Sequence, residues 1–238
     1  MFDLTLHKGA ALFAAACSAV ALTGVAPATA QADNLTPEQV TDLYIGAVVN
    51  DDAAKVAQLN GYLKLAAADG KPAADLEAIR KVDATTSATI AGQLKQALPD
   101  QLRGKVEPVL DAFAKSLSGA VLRSQCKANS SAVAPDDAAP GRFVATVQYS
   151  CAVPDAADGL AKAQAQVGEV TMDKASPALF THVFGDSSKA LDAAPLTKQV
   201  SGQLTLSAGS DKKDWVAQNP ESVFRTVMGA VMVETQNQ

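Results

Sequence analysis

Apolar residues recur at helical spacing through the first half of the chain. Thr36, Pro37 and Gln39 match a capped helix start, and an apolar face follows them. The break Asn50-Asp51-Asp52 separates this helix from a second one, which predicts a hairpin of helices.

Two longer helical stripes follow the hairpin, over residues 73–98 and 100–120. The Thr/Ser-rich stretch 84–89 predicts a kink or break in the first stripe. In the second, the helix either begins at Pro108 or kinks there, because proline removes a backbone hydrogen bond.

The pattern changes to strict alternation in the second half, which predicts β-strands. Short helices are predicted over 155–166 and from Ser176 to His182, and Asn219-Pro220-Glu221 predicts the start of a terminal helix. The predicted strands are Leu122–Ala128, Arg142–Val153, Val167–Met172, Val200–Leu206 and Trp215–Ala217.

The two cysteines of this half predict a disulfide-linked hairpin. If Cys126 lies directly across from Cys151, the Pro/Asp/Gly-rich stretch 135–141 becomes the connecting loop. The same register places Ala128 opposite Tyr149, Ser130 opposite Val147, Ala132 opposite Ala145 and Ala134 opposite Phe143.

These elements predict the α+β class: N-terminal helices packed on an antiparallel sheet of about four strands, with a C-terminal helix. We expect one domain over residues 33–238. Its helical part covers 36–120, its strand-rich part 121–218 and its terminal helix 220–234.

Residues 1–32 have the order of a cleaved export signal. Lys8 precedes an Ala-rich apolar run, and small residues allow cleavage after Ala30 or Ala32. The protein is therefore expected to be periplasmic or secreted, where Cys126 and Cys151 would pair. Lipidation at Cys17 and an uncleaved membrane anchor are alternatives, and no stable membrane insertion is expected once the signal is removed.

Composition narrows the classes of partner. The net charge is −5 and no Lys/Arg cluster is present, so neither nucleic acid nor an anionic membrane surface is an expected partner. The core is expected to consist of Ala, Val and Leu, because aromatic residues make up only 5% of the chain.

Candidate catalytic groups are sparse. Gly185-Asp186-Ser187 resembles the nucleophile block of the GDSL-type hydrolases, but no histidine follows His182 to act as the base, so the block is expected to end a short helix. His182 and the paired cysteines do not make a metal site. We therefore predict no catalytic residue, no metal and no cofactor.

The carboxylates have simpler explanations than catalysis or Ca²⁺ binding. Asp51 and Asp52 suit a loop and a helix cap, and Asp136 and Asp137 suit a turn. Asp51, Asp52 and Glu169 stay as acid–base candidates for an alternative enzyme hypothesis. Aromatic side chains are the candidates for a pocket lining: Tyr44, Phe143, Tyr149 and Trp215.

Residues 39–63, with Asp42-Leu43-Tyr44, Asn50-Asp51-Asp52 and Val56-Ala57-Gln58-Leu59, resemble the opening of NTF2-like (cystatin-like) domains. The stretch Asp211–Asn219 resembles the late Trp-bearing strand of exported members. This resemblance implies two helices followed by a curved antiparallel sheet. Such domains host both binders and enzymes, so the resemblance does not decide function.

The leading hypothesis is an exported non-enzymatic module that holds a small apolar ligand or an envelope protein between helices and sheet. The alternatives are a carboxylate-dependent envelope enzyme and a structural or inhibitory protein that acts through a surface patch.

Overall fold

The computed structural model describes residues 34–63, 76–96, 98, 100–166 and 176–232. In this part of the chain four helices come first, then a hairpin, two further helices, two more strands and a last helix. The elements are α1 (Pro37–Val48), α2 (Ala53–Tyr62), α3 (Leu76–Gln96), α4 (Asp100–Leu122), β1 (Gln125–Pro135), β2 (Phe143–Val153), α5 (Ala157–Ala165), α6 (Pro177–Ala193), β3 (Lys198–Ala208), β4 (Val216–Ala217) and α7 (Glu221–Met232).

The predicted class is confirmed. The strands form an antiparallel four-stranded sheet in the order β1-β2-β3-β4, accompanied by helices that include the C-terminal α7. The predicted strand Val167–Met172 and the predicted export signal lie outside the described residues.

The helix starts follow from their caps. The Thr36 side chain accepts a hydrogen bond from the backbone N–H of Gln39, whose own side chain accepts from the N–H of Thr36. Asp52 caps α2 by accepting from the N–H groups of Ala54 and Lys55. Each cap gives unpaired N–H groups of a first helical turn a partner, which stabilises the hairpin of helices.

Helix α4 runs through Pro108 without a break and extends to Leu122, so the strand predicted from Leu122 begins only at Gln125. Pro108 lies on the exposed side, and the carbonyl that loses its donor belongs to the exposed Gly104. Water can satisfy this carbonyl, which makes the proline tolerable inside the helix.

Helix α6 begins at the predicted cap Ser176, but the prediction that Gly185 to Ser187 ends it is wrong. The helix continues to Ala193 because Phe184 and Leu191 lie on the same face and stay packed. This burial outweighs the cost of about 1 kcal/mol for a glycine inside a helix.

The register of the β1–β2 hairpin is confirmed only in part. Cys126 pairs with Cys151 and Ala128 with Tyr149, as predicted. A β-bulge at Asn129 then shifts the strand by one residue, so the predicted partners beyond it are wrong. The observed pairs are Ser130 with Gln148, Ala132 with Thr146 and Ala134 with Val144.

The main core lies between α1, α2 and α7 and one face of the sheet. Alternate residues of β2 and β3 enter it, and Tyr149 lies directly opposite Gly202. A Cβ at position 202 would collide with the Tyr149 ring, so the glycine makes room for this large core side chain. A second, smaller cluster joins Leu98, Val106 and Leu110 of the helical part to Phe180 and Phe184 of α6.

Helix α1 covers the outer edge of strand β1. The Asp42 carboxylate accepts a hydrogen bond from the backbone N–H of Ala128 at 2.8 Å. The Ser131 side chain, as a hydrogen-bond donor, is the largest cause of a lowered pKa of the Glu38 carboxyl. Both carboxylates therefore lie where they can serve donors that an edge strand would otherwise expose.

Tyrosine hydroxyl groups hold the segment that leads into β4. Tyr62 donates to the carbonyl of Lys213 at 2.7 Å and accepts from the buried N–H of Trp215 at 2.6 Å. Tyr44 accepts more weakly, from the N–H of Ala217 at 3.2 Å. Burial raises the pKa of Tyr62 to about 12, so its hydroxyl keeps the proton that it donates.

We expect Tyr62→Phe to lower the free energy of unfolding by about 1–3 kcal/mol, because it leaves a buried N–H and a carbonyl without partners. Tyr44→Phe is the matched control and is expected to cost less, since it removes one longer bond. Urea denaturation at pH 7 measures both. Equal effects would contradict the assigned role of Tyr62.

We expect Glu38 to make the fold sensitive to acid. Its folded pKa lies below the ordinary value of 4.5, so its stabilisation is present above that pH and is lost as the pH falls through the lower folded value. The unfolding free energy of Glu38→Gln should therefore fall less steeply below pH 4.5 than that of the wild type. Asp137→Asn, in the exposed turn, should follow the wild-type profile, and an unchanged slope in Glu38→Gln would contradict the assignment.

Candidate functional site

A cleft of about 290 Å³ opens where the α1–α2 hairpin meets the start of β1. It therefore lies at a junction of helices and sheet. Its lining combines charged and polar groups with apolar surface. The residues that line it are Asp42, Ile45, Gly46, Asn50, Asp52, Lys55, Cys126 and Lys127.

Close packing of α1 against α2 forms one wall of the cleft. A Cβ at Gly46 would lie 2.5 Å from Cγ of Lys55, so only glycine lets the lysine stem cross here. The N–H of Asp52 donates to the carbonyl of Gly46 at 2.9 Å, and Asp51 takes a positive φ of 51° in the turn. Aspartate tolerates this left-handed conformation better than most residues.

Asn50 fixes the hairpin to the corner between α4 and β1. Its Nδ2 donates to the carbonyl of Leu122 at 3.0 Å and to that of Ser124 at 2.8 Å. Asn50 thereby supplies partners for carbonyls at the end of a helix. This pair of bonds anchors the start of β1, where Cys126 and Lys127 line the cleft.

The charged groups of the cleft differ in whether they already have hydrogen-bond or ion-pair partners within the described part of the protein. Oδ1 of Asp42 and Oδ1 of Asp52 accept backbone N–H groups. The ammonium groups of the half-buried Lys55 and the exposed Lys127 form no ion pair with any described residue. Two cations and two anions therefore border the same small space.

The disulfide between Cys126 and Cys151 lies beside the cleft. Cys126 is partly exposed and lines the space, whereas Cys151 is fully buried in the core. The covalent bond joins β1 to β2 at the position where Lys127 enters the lining, and so limits movement of that wall.

The aromatic residues predicted to line a pocket lie away from this cleft. Tyr44, Tyr149 and Trp215 are buried in the core, where the hydroxyl of Tyr44 and the N–H of Trp215 take part in the bonds described above. Phe143 is half-buried, and the ammonium group of Lys212 lies 4.0 Å from its ring centroid. None of the four is among the lining residues of the cleft.

The hydrolase-like block does not assemble a catalytic site. Ser187 is buried within α6, and His182 on the same helix is 65% exposed. Asp186 is bonded to Lys189 and Gln166, and the bond from Lys189 is the largest cause of its lowered pKa. The bond from Gln166 connects the C-terminal end of α5 to α6, and the bond from Lys189 lies within α6.

The remaining carboxylates agree with their predicted structural roles. Asp52 is a helix cap, and Asp136 accepts from the N–H of Ala138 in the hairpin turn. Glu169 lies outside the described residues. Across the described ranges, no group of three or more His, Cys, Asp or Glu residues has the arrangement of a metal site.

Sequence reasoning did not identify Asp42, Lys55 or Lys127 as site residues. Asp42 and Lys55 belong to helices near residue 50, and Lys127 follows more than 70 positions later. No spacing rule connects these segments, because the long α3 and α4 separate them. Only the capping pattern around Asp52 pointed to part of this wall.

Among the described helices, none combines the length and the apolar character that crossing a bilayer requires. No family model, no curated protein and no solved structure matches this chain. Any proposal about the function of this chain therefore depends on the residues that line the cleft.

Proposed function

We propose that this chain is an exported, non-enzymatic binding module, and that the cleft between the α1–α2 hairpin and β1 is its ligand site. The observation that carries the proposal is the cleft itself, a concave space of about 290 Å³ with two ammonium groups at its border that form no ion pair with any described residue. Ligand sites are concave and contain a few convergent polar groups.

The chemistry of the lining residues favours binding over catalysis. One oxygen of each cleft carboxylate accepts a backbone N–H, and none of the described residues that line the space is an activated nucleophile. Hydrolysis by acid–base catalysis would need a carboxylate positioned for proton transfer, whereas Asp52 is used as a helix cap. The four charged side chains of the lining favour a ligand that carries charge, whereas the leading hypothesis from the sequence was a small apolar ligand or a protein partner.

Rigidity of the walls also supports a binding site. Asn50 and Asp42 attach the hairpin to the sheet, and the disulfide joins the neighbouring strand. A site with fixed walls loses little conformational entropy when a ligand binds, which favours affinity.

The resemblance to NTF2-like domains is compatible with this function, since that family includes binders as well as enzymes. We carry it forward as part of the proposal. Export is a further part, supported by the signal-like residues 1–32 and by the disulfide, since such bonds persist in oxidising compartments.

We expect a fragment library of small polar compounds to contain binders that shift the backbone amide NMR signals of Gly46, Cys126 and Lys127. Lys127→Glu should weaken these binders by about tenfold, because it reverses a charge at the border of the cleft. Lys105→Glu, on the exposed surface of α4, is the control and should bind like the wild type. If hits shift only residues outside the cleft, or if no compound binds, the proposed site is wrong.

We expect the full chain, produced in a bacterial host, to be recovered outside the cytoplasm without its first residues. N-terminal sequencing should give Gln31 or Asp33, according to the cleavage site, and the mature protein should contain no free thiol. Recovery of a mature chain that begins at a lipid-modified Cys17 would support the anchored alternative. Cytoplasmic protein that retains Met1 would contradict export.

A further inference from the structure

The charges around the cleft indicate what kind of molecule it can bind. We infer that the cleft binds a small zwitterion, of the size of a free α-amino acid or a dipeptide. This inference rests on the proposed function and concerns the same site.

The first step is the balance of charge. Lys55 and Lys127 bring two positive charges to the lining, and Asp42 and Asp52 bring two negative ones. A ligand with only a negative charge would be attracted by the lysines and repelled by the carboxylates. A cation would be attracted by the carboxylates and repelled by the lysines. A molecule that carries one charge of each sign can pair with both sets.

The second step concerns free hydrogen-bonding capacity. The protein uses Oδ1 of Asp42 and of Asp52 for backbone N–H groups, which leaves Oδ2 of each able to accept from a ligand ammonium group. The two lysine ammonium groups form no bond to any residue that the structure describes and can donate to a ligand carboxylate. Such charge-assisted bonds are about twice as strong as neutral ones.

The third step concerns size and polarity. A volume of about 290 Å³ is at the lower end of the range for small-molecule sites, about 300–1,000 Å³. Apolar surface, to which Ile45 and Cys126 contribute, accompanies the charged groups in the lining. The small volume and the four charged side chains together favour a compact charged molecule over a lipid or a long peptide.

The test is a titration of the full mature protein with neutral α-amino acids and dipeptides, followed by calorimetry and by amide shifts of Gly46, Cys126 and Lys127. For each binder, the N-acetyl derivative removes the positive charge and the amide derivative removes the negative charge. We expect each derivative to bind about tenfold more weakly or worse.

Variants of the protein test the same charge pairs by removing the charges of the cleft instead of those of the ligand. Asp42→Asn keeps an oxygen for the N–H of Ala128 and removes the charge, so it should weaken the zwitterion but not its N-acetyl derivative, which has no ammonium group. Lys55→Met keeps the stem over Gly46 and should weaken the zwitterion but not its amide derivative, which has no carboxylate. Lys105→Gln is the unaffected control.

Each of the other possible results contradicts the inference, and each has a different consequence for the proposed function. If an N-acetyl or amide derivative binds as well as its parent, the cleft is a site for single charges, and the binding function stands. If no amino acid or dipeptide binds while fragments of another class shift the cleft, the ligand class is wrong and the site is right. If neither panel binds, both the inference and the proposed function fail.

Discussion

The attachment of α1 to the edge of β1 is the constraint on which much of this structure depends. An edge strand exposes N–H groups that would pair with another chain, and here the Asp42 carboxylate accepts the N–H of Ala128, while Ser131 lowers the pKa of Glu38 on the same helix. The bulge at Asn129 lies between Ala128 and Ser131 and shifts the strand by one residue. The same attachment holds the helical hairpin beside the strand, and the cleft is the space left at their junction.

The hydrophobic core and the disulfide stabilise this attachment through different physical effects. Helices α1 and α7 cover one face of the sheet with aliphatic side chains, whose burial contributes about 25 cal/mol per Å² of apolar surface. The disulfide connects residues 25 apart in sequence and restricts the unfolded chain, which the entropic model values at about 3 kcal/mol. The large side chain of Tyr149 fits into the core because Gly202, which lies opposite it, has no side chain.

Local chemistry made much of the fold predictable. The capping box at Thr36 and the cap at Asp52 place helix starts, because the side chains that satisfy free N–H groups lie within a few residues of them. The pairing of Cys126 with Cys151 followed from alternation and a strong turn. The bulge and the full length of α6 were not predictable, since the first depends on contacts with α1 and the second on burial of Phe184 and Leu191 by other elements.

The sequence by itself determined the α+β class, the helical hairpin and the disulfide-linked strands, because periodicity, caps and turns act over short distances. Only the tertiary structure decided which polar side chains share a site. Asp42, Lys55 and Lys127 meet because α3 and α4 return the chain to the hairpin, and Asn50 then bonds the corner from which β1 starts. The tertiary structure also placed Tyr44, Tyr149 and Trp215 in the core, where their apolar surfaces are removed from water, instead of in the lining of this cleft.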